Sequence, residues 1–239
     1  LKHIARSHDT RTKARRKSRL PVVSLVGYTN AGKSTMFNLL TNAGVLVEDR
    51  LFATLDSTIR RVDLSSGSPI LISDTVGFVR NLPHQLVEAF RSTLEEVNQA
   101  DLLLHIVDGS DPNPDRQIEA VHSVLREIGA DEIPEQLVVN KTDVADPVAI
   151  NRLSQLHPEA VATSAITGAG MDELSTAITA RLAETTDEIK IVVPYERGEL
   201  VALVHDIGRV ASTEHTDAGT AITASVPSTE LHRFAEFIE

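Results

Sequence analysis

The sequence has no cysteine, so disulfides and thiolate metal centres are excluded, and it has no stretch with the charged start, apolar middle and small-residue cleavage site of a secretory signal. A cytoplasmic location is the expectation. No apolar run approaches the roughly 20 residues that a membrane-spanning helix needs; the longest, such as Leu102 to Val107, have strand length. Positive charge is scarce outside one place. The net charge of −11 divides into +7 over residues 1–19, where eight Lys or Arg stand against Asp9, and −18 over the remainder, which should repel bare polyanions. Internal repeats and low-complexity tracts are missing apart from this basic start.

At 239 residues and 41% hydrophobic content, one medium domain with a small appendage is the natural size. The chain opens on Leu1 and an arm with almost no apolar residue to dock, which reads as part of something longer. The expected division is a basic arm over 1–19, a main domain over 20–185 and a small domain over 189–239.

From Leu20 to about Glu184 short apolar runs alternate with amphipathic stretches in a βαβ-like order. Val22 to Val26, Ile70 to Ile72, Leu102 to Val107, Leu137 to Val139 and Val161 to Thr163 lack polar alternation, as strands buried on both faces of a mostly parallel sheet do. Arg60 to Leu64 alternates and suits an edge strand. Leu86, Val87, Phe90, Leu94 and Val97 share one helical face, as do Ile118, Val121, Val124, Leu125 and Ile128, so helices cover the sheet. Asn113-Pro114, Asp146-Pro147 and the step from Gly170 to Glu173 mark helix starts. After residue 188 come a strand over Ile189 to Val193, a helix-like Tyr195 to Ile207, two β-rich stretches about a turn at Asp217 to Gly219, and a helix from Ser228. The predicted fold is therefore α/β, a mostly parallel sheet with helices on both faces, plus a small α+β domain of βαββα order.

The run Gly27, Tyr28, Thr29, Asn30, Ala31, Gly32, Lys33 and Ser34 has the spacing Gly, four residues, Gly-Lys-Ser, and lies between a strand and a helix, the context that a phosphate loop (P-loop) requires. Its glycines let successive backbone N–H groups wrap around phosphates, and the following helix N-terminus favours negative charge. Lys33 would reach the β- and γ-phosphates and the Ser34 hydroxyl would ligate Mg²⁺. Asp74, Thr75, Val76 and Gly77 end the next buried run, where Asp74 can hold Mg²⁺ and the Gly77 N–H can touch the γ-phosphate. Asn140, Lys141, Thr142 and Asp143 follow the run Leu137 to Val139 and place an acid to accept from the N1–H and exocyclic amine of guanine, a donor pair adenine lacks. Ser164, Ala165 and Ile166 fit the loop whose backbone supports the guanine carbonyl. Asp74 to Gly77 is a common turn by itself and Ser164 to Ile166 is too short to mean anything alone; the order of the motifs behind the phosphate loop, each at the carboxyl end of a predicted strand, makes a P-loop guanine-nucleotide site the reading.

Residues Gly27 to Thr35, then Leu51, Phe52, Ala53, Thr54, Leu55 and Asp56, then Asp74 to Phe78, then Leu82-Pro83-His84 and Leu86 to Glu96 together resemble the HflX family of ribosome-associated GTPases, from about Arg19 to the C-terminus. The resemblance implies a G domain that binds GTP or GDP with Mg²⁺ and hydrolyses GTP. It makes Phe52 to Asp56 the first switch loop, with Thr54 as a second protein oxygen on Mg²⁺ beside Ser34 and Asp74. Lys33, Ser34, Thr54 and Gly77 then form the catalytic machinery. It also implies the large (50S) ribosomal subunit, its RNA and its proteins as partners, and a ribosome-splitting or stress role for full-length members. Those members carry a further N-terminal domain joined by a basic helical linker, to whose end residues 1–19 correspond. Ser57 stands where the family usually has proline. A monomer is expected.

Phe78 occupies the position where many small GTPases place the glutamine that orients attacking water, so slow basal turnover is expected, on the order of 10⁻⁴ to 10⁻² per second, with acceleration by a partner. Arg60, Arg61 and Arg80 lie near the switches but read as solvated surface residues. His84, His105 and His122 show no metal-ligand spacing and read as ordinary surface or core residues. The alternative function is a GTP-dependent binding switch whose hydrolysis is incidental.

Overall fold

The computed structural model describes residues 20–41, 58–65, 69–75 and 97–238. It forms two compact units, one over Pro21–Leu182 and one from Ala183 onward.

In the first unit, strands β1 (Val22–Gly27), β2 (Thr58–Asp63), β3 (Pro69–Asp74), β4 (Leu102–Asp108), β5 (Glu135–Asn140) and β6 (Val161–Ala162) form one sheet in the order β2-β3-β1-β4-β5-β6. All neighbours are parallel except β2, which runs antiparallel to β3 at the edge. Arg60 and Arg61 of β2, which point to opposite faces, are both exposed, so this edge strand is open to solvent on each side there instead of alternating strictly. Every residue of β1 is buried, and β4 is buried through Val107. Side chains alternate between the two faces. Val23, Leu25, Leu102, Leu104 and Ile106 pack with Met36 and Phe37 of α1 (Lys33–Thr41) and with Leu174 and Ile178 of α4 (Met171–Glu184). Val26 and Leu103 emerge on the other face against Val121, Val124 and Leu125 of α2 (Pro114–Ile128).

Local sequence fixes the helix ends. Proline opens both α2 and α3 (Pro147–Leu156), and Asp146 caps α3 by accepting from the Val148 N–H at 2.9 Å. Asn113 makes no such cap; its own N–H is held by Asp111 at 2.7 Å, and Pro114 and Asp115 supply the start of α2. The predicted helix around Leu86 to Leu94 lies outside the described residues.

The second unit is an antiparallel sheet in the order β7-β9-β8, built from β7 (Thr186–Val193), β8 (Arg209–Thr216) and β9 (Gly219–Pro227), with α5 (Gly198–Ile207) between β7 and β8. Ile189, Ile191, Val193, Val204, Ile222, Val226 and Phe234 form its core. The helix expected from Ser228 is a 3₁₀ helix over Ser228–Arg233 instead. Phe234 is drawn fully into the core, and the chain then turns so that the Val192 N–H donates to the Phe237 carbonyl at 3.1 Å and Ile238 bridges to Ile191. Sheet pairing wins over helix continuation there.

Candidate nucleotide-binding site

The carboxyl ends of β1, β3, β5 and β6 bring the sequence motifs together. β1 ends at Gly27 (φ 149°), where a Cβ would lie 2.3 Å from the Ile106 carbonyl oxygen of β4. Asn30 takes φ 62° and Gly32 φ 96°, and α1 begins at Lys33. Backbone of this kind turns its N–H groups into a concavity that suits anions. Lys33 is buried and folds back over the loop, its Nζ donating to the Gly27 carbonyl at 3.0 Å and the Tyr28 carbonyl at 2.8 Å. Burial lowers the Lys33 ammonium to about 8, partly opposed by the Asp74 charge. Holding that cation in place disfavours the protein alone by about 3 kcal/mol at neutral pH. A phosphate beside it would relieve that cost.

Ser34 donates its hydroxyl to Asp74 Oδ2 at 2.8 Å, joining the first turn of α1 to the end of β3, and Asp74 is 1% exposed. Thr75, next along, anchors to the Leu25 carbonyl at 2.5 Å. An alcohol and a carboxylate at one point beside the phosphate loop are hard oxygen donors of the kind Mg²⁺ takes, so this pair fits that ion.

Asn140 connects three loops. Its Nδ2 donates to the Ala31 carbonyl at 3.0 Å and its Oδ1 accepts from the Ala165 N–H at 2.9 Å. It therefore ties the phosphate loop to the segment after β6. Gly32 makes this possible, since a Cβ there would sit 2.3 Å from Asn140 Nδ2. Lys141 adopts φ 64° and pairs with Asp108 at the end of β4 at 2.7 Å. Thr142 holds the Thr163 carbonyl through its hydroxyl at 2.8 Å and its N–H at 3.1 Å. Asp143 is exposed, and the Ser164 hydroxyl donates to its Oδ1 at 2.6 Å, fixing the carboxylate's direction. Ile166 is 77% exposed beside it.

The structure thus assembles Gly27 to Thr35, Asp74, Thr75, Asn140 to Asp143 and Ser164 to Ile166 at one end of the sheet. Phe52, Ala53, Thr54, Leu55, Asp56, Val76 and Gly77 lie outside the described residues. Two roles escaped the sequence reading. Asn140 is an internal brace with both amide ends engaged by protein, and Asp108 is the counter-ion that positions Lys141. The aspartate after the apolar run of β4 was the only available signal for the second.

A six-stranded, mostly parallel sheet with a glycine-turned phosphate loop between its first strand and helix defines a P-loop GTPase G domain. The family model described as 50S ribosome-binding GTPase matches residues 22–141, and the one described as HflX C-terminal domain matches residues 149–233. The chain belongs to the HflX family of P-loop GTPases. It is 40% identical to GTPase HflX of Caldanaerobacter subterraneus over 238 residues, which is 100% of this chain and 54% of that protein. It is 44% identical to the Gluconacetobacter diazotrophicus protein of the same name over 222 residues, 93% of this chain and 49% of the relative, and 40% identical to the Escherichia coli one, 99% and 56%. The chain spans about half the length of the curated relatives it matches. Among solved structures, a GTP-binding protein from Sulfolobus solfataricus in complex with GDP superposes with a TM-score of 0.52 at 27% identity, covering 75% of this chain and 58% of that one. No helix among the described residues is long and apolar enough to cross a membrane.

Proposed function

We propose that this chain binds GTP at the 27–35 loop with Mg²⁺ and hydrolyses it slowly to GDP and phosphate. The observation that carries the reading is the placement of Lys33, Ser34 and Asp74 at one end of the sheet and of Asp143, aimed by Ser164, after β5 at that same end. Lys33 and the loop amides would neutralise the phosphate charge, and Asp143 would accept from guanine. Mg²⁺ would be held by Ser34 and Asp74, joined by Thr54 if the family resemblance carries over, and when bound it supplies further charge neutralisation on the phosphates. Ala165 and Ile166 would flank the base.

Positioning of the attacking water is the weak element, because Phe78 has no group to orient it. Hydrolysis should therefore wait for a partner. The relatives' family description makes the large ribosomal subunit the first candidate, with the two phosphate-contacting loops as the element that changes between GTP and GDP. Single-turnover hydrolysis with and without purified 50S subunits tests this: stimulation by at least about tenfold supports a ribosome-timed GTPase. Selective GTP binding with no stimulation favours instead a binding switch whose hydrolysis is incidental.

A further inference from the structure

Away from the nucleotide loops, three elements meet at one carboxylate. His105 is in the middle of β4 and fully buried, His122 is on α2, and Glu135 is the first residue of β5. Leu103 pairs with Glu135 and His105 with Leu137, so His105 and Glu135 emerge on the same face of the sheet, the one α2 covers. His105 Nδ1 lies 2.7 Å from Glu135 Oε1, and His122 Nε2 lies 2.9 Å from Oε2 and 3.2 Å from Oε1. The two rings meet edge to face with centroids 5.5 Å apart. One donor atom from each of the three residues falls within 4.8 Å of the other two. Nothing in the sequence spacing of these residues announces this convergence; the sheet register creates it.

We propose that His105, His122 and Glu135 form a binding site for one Zn²⁺ ion, with the fourth coordination position open to the adjoining cavity. That cavity has a volume of about 440 Å³, is lined by His122 and Glu135, and has His157, Glu159 and Arg181 on its other walls. Two imidazoles and one carboxylate with an open fourth position are a donor set Zn²⁺ favours, whereas Mg²⁺ prefers the all-oxygen pair of Ser34 and Asp74. Zn–N and Zn–O bonds of about 2.0–2.2 Å in a tetrahedron separate neighbouring donors by about 3.3 Å, so the contacts to Glu135 open by about half an ångström while the two imidazole nitrogens, within 4.8 Å of one another, come to that same spacing. The ion replaces the protons now shared with Glu135. Each imidazole stays neutral and carries its proton on the other ring nitrogen.

The protonation states suit this role. Burial lowers the His105 imidazole and keeps it neutral. Burial pushes the Glu135 carboxyl up, but the hydrogen bonds from His105 and His122 outweigh it and hold the group at about 2. The His122 ring is raised by its hydrogen bond to Glu135, so a proton is the ion's competitor there. His105 Nε2 is buried without a hydrogen-bond partner, so moving the proton there when the ion takes Nδ1 leaves a buried N–H unmet, a cost that coordination has to exceed. A bound ion would clamp α2 to β4 and β5.

The test is calorimetric titration of Zn²⁺ into the metal-stripped chain in excess Mg²⁺, with Co²⁺ absorption as a readout of tetrahedral nitrogen and oxygen ligation. One equivalent should bind and raise Tm. His122→Gln, which keeps a hydrogen bond to Glu135, and Glu135→Gln should each weaken Zn²⁺ at least about tenfold and abolish the Tm rise, with metal-free Tm of His122→Gln near that of the parent. No stoichiometric binding, or binding as tight in both variants as in the parent chain, would overturn the proposal.

Discussion

Under the proposed function Asp143 would select the base, through a carboxylate that can take two donors from guanine while Ser164 holds it in place. Changing it to asparagine exchanges acceptor for donor at the same size. Asp143→Asn should lose at least about tenfold in GDP affinity and gain relative affinity for the xanthine nucleotide, whose ring offers the matching acceptor. Competition binding with GDP and XDP checks this, and equal losses for both would place base selection elsewhere. Lys33 gives a second prediction at this scale. Its free ammonium titrates near 8, and bound phosphates would raise that value. The complex then holds more protons than the free protein, so affinity is whole below about pH 8 and falls as pH rises from there through the raised value. Calorimetry in two buffers of different ionisation enthalpy should show proton uptake on GDP binding at about pH 9 and little at about pH 7. No uptake at the higher pH would mean that Lys33 is not the phosphate partner.

At the scale of elements, the phosphate loop depends on β5 through the contact between Asn140 and Ala31. Gly32 and Gly168 separate backbone strain from this coupling. Both have positive φ, but a Cβ at Gly168 meets nothing within 4 Å, whereas one at Gly32 meets Asn140 Nδ2 at 2.3 Å. Gly168→Ala should cost about 1–2 kcal/mol of stability and leave nucleotide affinity nearly unchanged. Gly32→Ala should in addition lower GDP affinity at least about tenfold, because the brace and the loop cannot both keep their places. Thermal melts with and without GDP compare them; equal effects on affinity would mean that Asn140 does not brace the phosphate loop.

Elements also show what sequence patterning could and could not reveal. The buried strands, the edge position of β2 and the starts of α2, α3 and α4 follow from short-range signals: apolar runs, alternation, and proline or acid at the first turn. The phosphate loop was legible because its spacing is local. The Asn140 brace was not, because it needs residues far apart in the chain and a left-handed Gly32 to admit the amide. The convergence of His105 and His122 on Glu135 is set by pairing of β4 with β5. The last segment misled because Ser228 followed by Glu230 resembles a helix start, while the buried ring of Phe234 and the bridge to Ile191 reward a turn instead.

For the whole molecule, the two family matches follow one another along the chain, the first over residues 22–141 and the second over 149–233. The strongly acidic balance beyond residue 19 makes nonspecific RNA binding by that part unfavourable, so any ribosomal contact made there has to be specific. If Asp143 and the loops around it select guanine, the equilibrium affinities for GDP and GTP against ADP and ATP in Mg²⁺ should differ, with guanine nucleotides bound at least about a hundredfold more tightly. Adenine nucleotides competing on equal terms would mean that this chain is not guanine-specific.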